Sequence, residues 1–250
     1  MGNYRKSLIA RDAIQKVSKM TGAIRQEHYR LTLPWRDGGD RILSSTGYFA
    51  YAEKMRAFQR DWDATVGEFV ANYAQYVSDA RAKLNGLFNA DDYPTEAEIR
   101  GKFSFKMEIL PLPASDDFRV NLGDEETARI RQEFEQSTQS QLARAMRDIW
   151  DRMHDVISHM SDRLRAYNVS SDGKVENPFR DTLVTNITEL LDIIPSLNLT
   201  GDANIASFAQ EMRESLTRFS PDQLREAEYR REDTAQRADE ILSKMSAFLA

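Results

Sequence analysis

Residues 48–88 read YFAYAEKMRAFQRDWDATVGEFVANYAQYVSDARAKLNGLF, and apolar side chains recur through them at intervals of three and four. This period is typical of an α-helix with one apolar side. A continuous helix over this range would be about 60 Å long. Residues 124–167 carry a second stripe of the same kind, and the acidic run Asp124 to Glu126 suits the positive end of a helix dipole. We therefore predict two long helices of nearly equal length that pack antiparallel along their apolar stripes.

Two stretches depart from the helical pattern. In residues 28–43, HYRLTLPWRDGGDRIL, apolar and polar side chains alternate from Tyr29 to Trp35, and Asp37 to Asp40 supplies the glycines of a tight turn. Residues 103–122, FSFKMEILPLPASDDFRVNL, alternate in the same way and predict a second β ribbon. The predicted fold is mostly α, with two long antiparallel helices, a small β-hairpin element at one end and a C-terminal helical bundle.

The remaining segments are predicted to be shorter helices and one linker. A helix is expected over residues 4–27 with a break near Thr21 and Gly22, and a short capped helix near 91–98. Three C-terminal helices are expected at about 179–194, 202–218 and 221–249, the last capped by Ser220 and Pro221. Residues 225–240 are almost wholly polar, which indicates either a solvated face or one side of a partner interface. The predicted segments are 1–43 (basic helix and first β-hairpin), 44–168 (long helical hairpin with the ribbon 103–122), 169–178 (linker) and 179–250 (C-terminal helices).

Composition excludes several classes of protein. The chain has 250 residues, of which 30% are charged and 41% hydrophobic, and it contains no cysteine. Disulfides, thiolate zinc sites and cysteine nucleophiles are therefore excluded. No apolar run approaches the roughly 20 residues of a membrane span, and the N-terminus does not resemble a signal peptide. The phosphate-binding loop, the Gly-x-Ser-x-Gly elbow and the dinucleotide fingerprint are all missing. We expect a protein without membrane contact, cofactor or enzymatic activity.

The charge is distributed unevenly along the chain. Residues 1–36 contain eight lysines and arginines against two acidic residues, a net charge of +6, whereas the whole chain has a net charge of −6. Such a basic segment either binds a polyanion or folds against an acidic neighbour. Read as a nucleic-acid contact, it would let Trp35 and the nearby arginines stack on and clamp unpaired bases. The plainer alternative is a hairpin with Trp35 in a small core. The candidate nucleic-acid-binding residues are Arg5, Lys6, Arg11, Lys16, Lys19, Arg25, Arg30, Trp35, Arg36 and Arg41.

A metal-dependent hydrolase is a further alternative. His154 and His159 are five residues apart, so they do not share a helix face, and the glutamate of a zinc helix motif is missing. The plainer reading pairs the neighbouring acids with Arg147 and Arg152 on a solvated face. Asp37 and Asp40 also lack the further oxygen ligands that a calcium loop needs. A hydrolytic site would use Asp148, Asp151 and His154, with Asp155 nearby.

Six stretches follow one another along the chain: HYRLTLPWRDGGDRIL, DDYP, FSFKMEILPLPASDDFRVNLGDEE, IWDRMHDVISHMSDRLR, FRDTLV and LNLTGD. In this order they resemble a family of uncharacterised proteins from tailed bacteriophages. That family is similar in turn to a bacterial domain of unknown function, sometimes encoded near MoxR-type AAA+ ATPases and cobaltochelatase-like proteins. The similarity covers about residues 20–215. It implies a phage origin, the cytoplasm of a bacterial host, and work in DNA transactions or with an ATPase, and it transfers no catalytic residue.

We predict a non-enzymatic, self-associating adaptor or scaffold in phage DNA metabolism, whose residues 1–41 contact single-stranded nucleic acid. The aromatic band of the first long helix is too wide for one seam, so we expect it to meet the C-terminal helices or another subunit, and its width is one motive for predicting self-association. Two alternatives stay open: a structural or interaction protein without DNA binding, such as a virion component or an AAA+ ATPase regulator, and a metal-dependent hydrolase. The aromatic band consists of Tyr48, Phe49, Tyr51, Phe58, Trp62, Phe69, Tyr73 and Tyr76.

Overall fold

A computed structural model describes residues 6–112 and 124–249, and of Asp124 it describes the backbone only. This part of the chain is mostly helical, which confirms the predicted class. Its helices are α1 (Gln15–Leu31), α2 (Tyr48–Ala71), α3 (Tyr73–Leu84), α4 (Glu96–Gly101), α5 (Asp124–Ala166), α6 (Thr182–Leu197), α7 (Ala203–Leu216), α8 (Pro221–Glu226) and α9 (Glu228–Leu249). Its strands form two antiparallel pairs, β1 (Leu33–Pro34) with β2 (Arg41–Ile42) and β3 (Asn168–Val169) with β4 (Val175–Glu176).

The chain divides into two compact units. Unit 1 comprises the described residues of Met1–Arg30 and Tyr48–Pro113, and unit 2 those of Leu31–Gly47 and Ala114–Ala250. These boundaries differ from the four predicted segments. By sequence, unit 1 holds 15 lysines and arginines against 12 acidic residues, and unit 2 holds 19 against 28. Unit 1 therefore has a net charge of +3 and unit 2 a net charge of −9.

The first helix lies later in the chain than the sequence pattern predicts. It spans Gln15–Leu31 and runs without a break through Thr21 and Gly22, whereas residues 6–14 form turns. Val17 is buried on its inner side, Ile24 follows it by seven residues, and Leu31 continues this spacing beyond the predicted end at residue 27. The alternation that suggested a strand from residue 29 is therefore helix up to residue 31, and only residues 33–34 pair as a strand.

The long helix predicted over 48–88 is divided into α2 and α3 at Asn72. The Asn72 side-chain amide donates a hydrogen bond of 2.8 Å to the carbonyl of Glu68, a local bond that competes with the helical pattern. The helix α3 ends at Leu84, before the predicted end at residue 88, and its C-cap residue Asn85 has a φ of +50°. Part of the aromatic band lies in the core of unit 1, where Trp62, Phe69 and Tyr73 are buried together. That the band meets the C-terminal helices or another subunit stays a prediction. Of the band, Tyr51, Trp62, Phe69 and Tyr73 are buried, Tyr48, Phe58 and Tyr76 are half-buried, and Phe49 is exposed.

The core of unit 1 is formed by α1, α2, α3 and the residues after α4. Phe69 lies at its centre, with ring centroids 5.4 Å from Phe103 and 5.7 Å from Tyr76. Val17 of α1 and Trp62 of α2 belong to the same buried cluster. The basic helix α1 is therefore held to its unit by an aromatic core.

The second long helix is present as predicted, because α5 is continuous over Asp124–Ala166. Its apolar stripe, with Met153 and Ile157 fully buried, packs mainly on α9 and also on α6 and β1. The predicted antiparallel pairing with the first long helix is not confirmed: α2 and α5 belong to different units, and each stripe is buried within its own unit.

Two of the three predicted C-terminal helices are present as α6 and α7, and the third, predicted over 221–249, is divided into α8 and α9. Ser220 caps α8 through a capping box with Gln223, and the extended backbone of Ala227 separates α8 from α9. The polar stretch 225–240 has a buried side after all. There the Arg231 guanidinium donates 3.0 Å hydrogen bonds to the carbonyls of Leu224 and Arg225. Also buried on this side are Thr234, Ala235 and Ala238.

Two of the non-helical predictions are corrected. The segment 169–178 carries part of a small hairpin, β3–β4, whose turn includes Gly173 at a φ of +80°. In the second predicted ribbon, residues 103–112 contain no strand, and residues 113–123 lie outside the described part of the chain.

A polar contact joins α5 to α9. The buried Ser161 hydroxyl donates a hydrogen bond of 2.6 Å to Asp239 Oδ1, and Arg165 forms an ion pair with the same carboxylate. The Ser161 hydrogen bond, followed by Arg165, lowers the pKa of Asp239 below its ordinary value. The stabilisation is therefore present above the unfolded pKa of about 3.9 and is lost as the pH falls through the lower folded pKa.

Candidate nucleic-acid interface

The outer side of α1 is basic. Its exposed residues include Lys16, Lys19 and Arg25, and the helix contains a single acidic residue, Glu27, which is half-buried. The small residues Gly22 and Ala23 lie between the cations and are also exposed. We call this side, with Lys16, Lys19, Gly22, Ala23, Arg25 and Tyr29, the basic face of α1.

Some of the predicted cations are paired within unit 1. Lys16 Nζ lies 2.5 Å from Glu68 Oε1, and this hydrogen bond raises the pKa of Lys16. Lys6 Nζ lies 2.5 Å from Asp92 Oδ2. The expected alternative, a basic segment folded against acidic neighbours, is thus realised at Lys6 and Lys16.

Arg30 is also paired with an acid on its own helix. Its guanidinium donates two hydrogen bonds of 2.8 Å to the carboxylate of Glu27. These bonds lower the pKa of Glu27. The one acidic side chain of α1 is therefore neutralised by Arg30 and leaves the charges of Lys19 and Arg25 uncompensated on that helix.

Three predicted cations of unit 1 remain available. Arg11, Lys19 and Arg25 are exposed, and within residues 6–112 none of them has an ion-pair partner. Exposed, uncompensated cations on one helix are the feature by which a phosphate backbone is bound without sequence preference. Arg5 lies outside the described residues.

The predicted stacking residue Trp35 is a core residue. Its side chain is only 8% exposed and packs in the core of unit 2 with Leu33. Its backbone N–H donates to the carbonyl of Asp40 at 3.0 Å, which closes the turn through Gly39 at a φ of +91°. The structure therefore shows the hairpin with Trp35 in its core, and the prediction that Trp35 stacks on bases is wrong.

Arg41 likewise has a structural contact. Its guanidinium donates to Thr32 Oγ1 at 2.6 Å and to the Thr32 carbonyl at 2.7 Å, and Arg152 donates to the same carbonyl at 2.8 Å. Arg36 is exposed beside the turn. Trp35, Arg36 and Arg41 belong to unit 2, so the candidate residues do not form one surface within a single unit.

Sequence reasoning missed Tyr29 as a surface residue. The predicted strand placed its side chain on an inner face, whereas on α1 it is 53% exposed. Beside it, the ring of His28 lies 5.6 Å away, and His28 Nδ1 is 2.9 Å from the buried Tyr51 hydroxyl. Burial raises the pKa of Tyr51, so its hydroxyl is protonated at neutral pH. The signal that could have found Tyr29 is its spacing of four residues from Arg25.

The acids of the alternative hydrolytic site are paired with arginines. Asp148 Oδ2 lies 2.7 Å from Arg152 Nε, and Asp151 Oδ1 lies 3.7 Å from Arg147 Nε. Asp37 forms an exposed ion pair with Arg144. Within the described ranges, no group of three or more histidines, aspartates and glutamates is placed to hold a metal ion.

A small pocket lies between residues 7–10 and α3. Its volume is about 60 Å³, and Leu8, Ile9, Tyr76 and Lys83 line it. Pockets that hold small-molecule ligands measure roughly 300–1,000 Å³. This pocket is therefore too small for a nucleotide or an organic cofactor.

Among the helices that the structure describes, none combines the length and the apolar character needed to cross a membrane. Comparisons of the chain with protein-family models, with curated protein sequences and with solved structures give no match.

Proposed function

We propose that this chain is a non-enzymatic, self-associating helical adaptor or scaffold of a bacteriophage, acting in DNA metabolism in the cytoplasm of the bacterial host. In this proposal the basic face of α1 contacts single-stranded nucleic acid without sequence preference. The observation that carries it is the exposure of Lys19 and Arg25 on a helix side without an acidic residue. The net charge of +3 on unit 1, in a chain with a net charge of −6, supports it.

The number of available cations sets the expected salt dependence. If Arg11, Lys19 and Arg25 each neutralise one phosphate, the logarithm of the binding constant should fall with the logarithm of salt with a slope of about −2. Between about 50 mM and 200 mM salt the affinity should then fall about 20-fold. Contacts that were mainly apolar would change little over this range.

Charge substitutions at Ala23 test the interface directly. Ala23 is exposed on the basic face, and glutamate and lysine are both good helix formers, so neither substitution should disturb α1. We expect Ala23→Lys to steepen the salt slope by about 0.7 and Ala23→Glu to weaken binding several-fold. The measurement is fluorescence anisotropy with a labelled oligothymidylate of about 20 nucleotides, longer than a site of about 4–16 nucleotides.

The same pair of substitutions at Ala143 is the matched control. Ala143 is exposed on α5 in the acidic unit 2, and Ala143→Lys and Ala143→Glu should leave the affinity nearly unchanged. Equal affinities for the parent protein and both Ala23 variants would contradict the proposed interface. If the parent protein does not bind the oligonucleotide at about 50 mM salt or at about 200 mM salt, nucleic-acid binding itself is contradicted.

Self-association is supported by an exposed apolar run after α4. Its members Met107, Ile109, Leu110 and Leu112 are 37%, 47%, 78% and 53% exposed. Contiguous exposed apolar side chains mark protein–protein contacts in soluble proteins. The run follows Phe103, which is anchored in the core of unit 1.

We expect sedimentation velocity to show species heavier than the 28.7 kDa monomer at micromolar concentration. Leu110→Lys should shift the distribution toward the monomer, because burial of an added charge in the contact is unfavourable. Phe49→Lys, at a residue that is 80% exposed on α2, is the control and should leave the distribution unchanged. A parent protein that stays monomeric over the whole concentration range would contradict self-association.

A second candidate is an interaction protein that does not bind nucleic acid, with another phage protein or an AAA+ ATPase as its partner. The ion pairs Lys6–Asp92 and Lys16–Glu68 favour it, because they neutralise part of the basic segment within unit 1. In that case the parent protein would self-associate without binding the oligonucleotide at about 50 mM salt.

A further inference from the structure

We infer that the ring of Tyr29 stacks on an unpaired base and that this contact makes the basic face prefer single strands to duplexes. The inference rests on the proposed function, because it needs nucleic acid to lie along the basic face of α1. It adds a residue that determines specificity, which cations alone do not supply.

The position of Tyr29 on α1 is the first argument. Arg25 precedes Tyr29 by four residues, so the two side chains are neighbours on the helix surface. Lys19 and Arg25 bound a sector of about 120° around the helix at 100° per residue, and Tyr29 lies within this sector. A strand whose phosphates contact Lys19 and then Arg25 reaches Tyr29 if it continues in the same direction, because Tyr29 lies about 6 Å beyond Arg25 along the helix.

The surface between the cations allows a close approach. Ser18 and Gly22 are small exposed residues of this sector, and a Cβ added at Gly22 would meet no atom within 4 Å. No long side chain at these two positions separates a nucleic-acid backbone from the helix. The cations and the tyrosine can then contact the same strand.

The Tyr29 ring contacts the ring of His28, which is itself hydrogen-bonded to the buried Tyr51. The His28 ring lies 5.6 Å from the Tyr29 ring and 5.9 Å from the Tyr51 ring, and His28 is bonded to the Tyr51 hydroxyl at 2.9 Å. Tyr51 is 6% exposed and is part of α2. Tyr29 is 53% exposed and its ring contacts His28, so it offers a base an aromatic surface that needs little ordering on binding.

Single strands and duplexes would use this face differently. Unpaired bases are accessible to aromatic side chains, whereas the bases of a duplex are stacked on each other and present only their edges in the grooves. Phosphate contacts from Lys19 and Arg25 serve both forms equally. Tyr29 should therefore contribute to the binding of single strands only.

The test compares Tyr29→Ala and Tyr29→Phe in the full-length chain, with oligothymidylate of about 20 nucleotides and with the same strand annealed to its complement. We expect Tyr29→Ala to weaken single-strand binding by about 5-fold or more and to leave duplex binding unchanged. Tyr29→Phe should retain the parent affinity for both forms. The salt slope should not change in either variant, because no charge is removed.

Tyr229→Ala is the matched control, since Tyr229 is 65% exposed and belongs to unit 2, whose net charge is −9. It should bind like the parent protein. The stacking inference is overturned if the parent protein binds while Tyr29→Ala weakens the binding of single strands and duplexes equally, or weakens the binding of neither. Either result leaves the electrostatic interface in place. If the parent binds neither form, both the inference and the proposed function fail.

Discussion

Trp150→Ala is expected to lower the free energy of unfolding by about 3–5 kcal/mol. Trp150 is 5% exposed and stacks on Phe248 with ring centroids 4.8 Å apart and an angle of 10° between the rings. Its edge contacts Phe208 at 5.2 Å, and the two phenylalanines contact each other at 5.5 Å. One side chain thus joins α5, α7 and α9. Its removal would leave a cavity lined by two rings that are held on separate helices and cannot collapse into it.

The measurement is urea unfolding followed by far-UV circular dichroism, because the substitution removes a fluorophore. Tyr229→Ala, which removes an exposed ring from the same unit, should change the free energy of unfolding by no more than about 0.5 kcal/mol. A loss below about 1 kcal/mol for Trp150→Ala would show that the three rings do not form a packed cluster.

Phe69→Ala should produce a loss of similar size, about 3–5 kcal/mol, in unit 1. Phe69 is 3% exposed and contacts the rings of Tyr73, Tyr76 and Phe103 at 6.2, 5.7 and 5.4 Å. It shares a buried cluster with Val17 of α1. The substitution therefore weakens the support of α1 as well as the contact between α2 and α3.

Phe49→Ala is the control for this substitution, since the same side chain is removed at a residue of α2 that is 80% exposed. Urea unfolding should distinguish the two variants by at least about 2 kcal/mol. Equal stabilities of Phe69→Ala and Phe49→Ala would contradict the core that holds α1 in place.

The helical class, the extent of α5 and the C-terminal stripes could be predicted because each depends on local periodicity. The pairing of the two long stripes could not, because a period shows that a side is buried and does not show which element covers it. The stripe of α5 is covered by α9 and α6, which the sequence reading had assigned to a separate segment. Asn72, a residue common in helices and turns alike, gave no sign of the division between α2 and α3.

The candidate interface was predictable as a set of charges but not as a surface. The sequence identified Lys19 and Arg25 as basic surface residues. It also named Lys16, which is paired with the distant Glu68, and Arg30, which is paired with Glu27 three residues before it. The Lys16–Glu68 pair depends on tertiary structure, whereas the Arg30–Glu27 pair needs only that α1 extend past residue 30, where the sequence reading had predicted a strand. Trp35 was predicted as an exposed stacking residue, but it is buried in the hairpin. Tyr29 is exposed instead, because α1 extends to residue 31 and turns its side chain outward.

The two polar anchors of α9 should respond differently to acid. The Arg231 guanidinium donates hydrogen bonds to the carbonyls of Leu224 and Arg225, and these bonds involve no carboxylate. Asp239, at the middle of the same helix, accepts the Ser161 hydrogen bond through a carboxylate that strong acid neutralises. Acidification should therefore loosen the C-terminal half of α9 first, while its beginning stays bound, and the protection of its amides from hydrogen exchange should be lost from the C-terminal end inward as the pH falls.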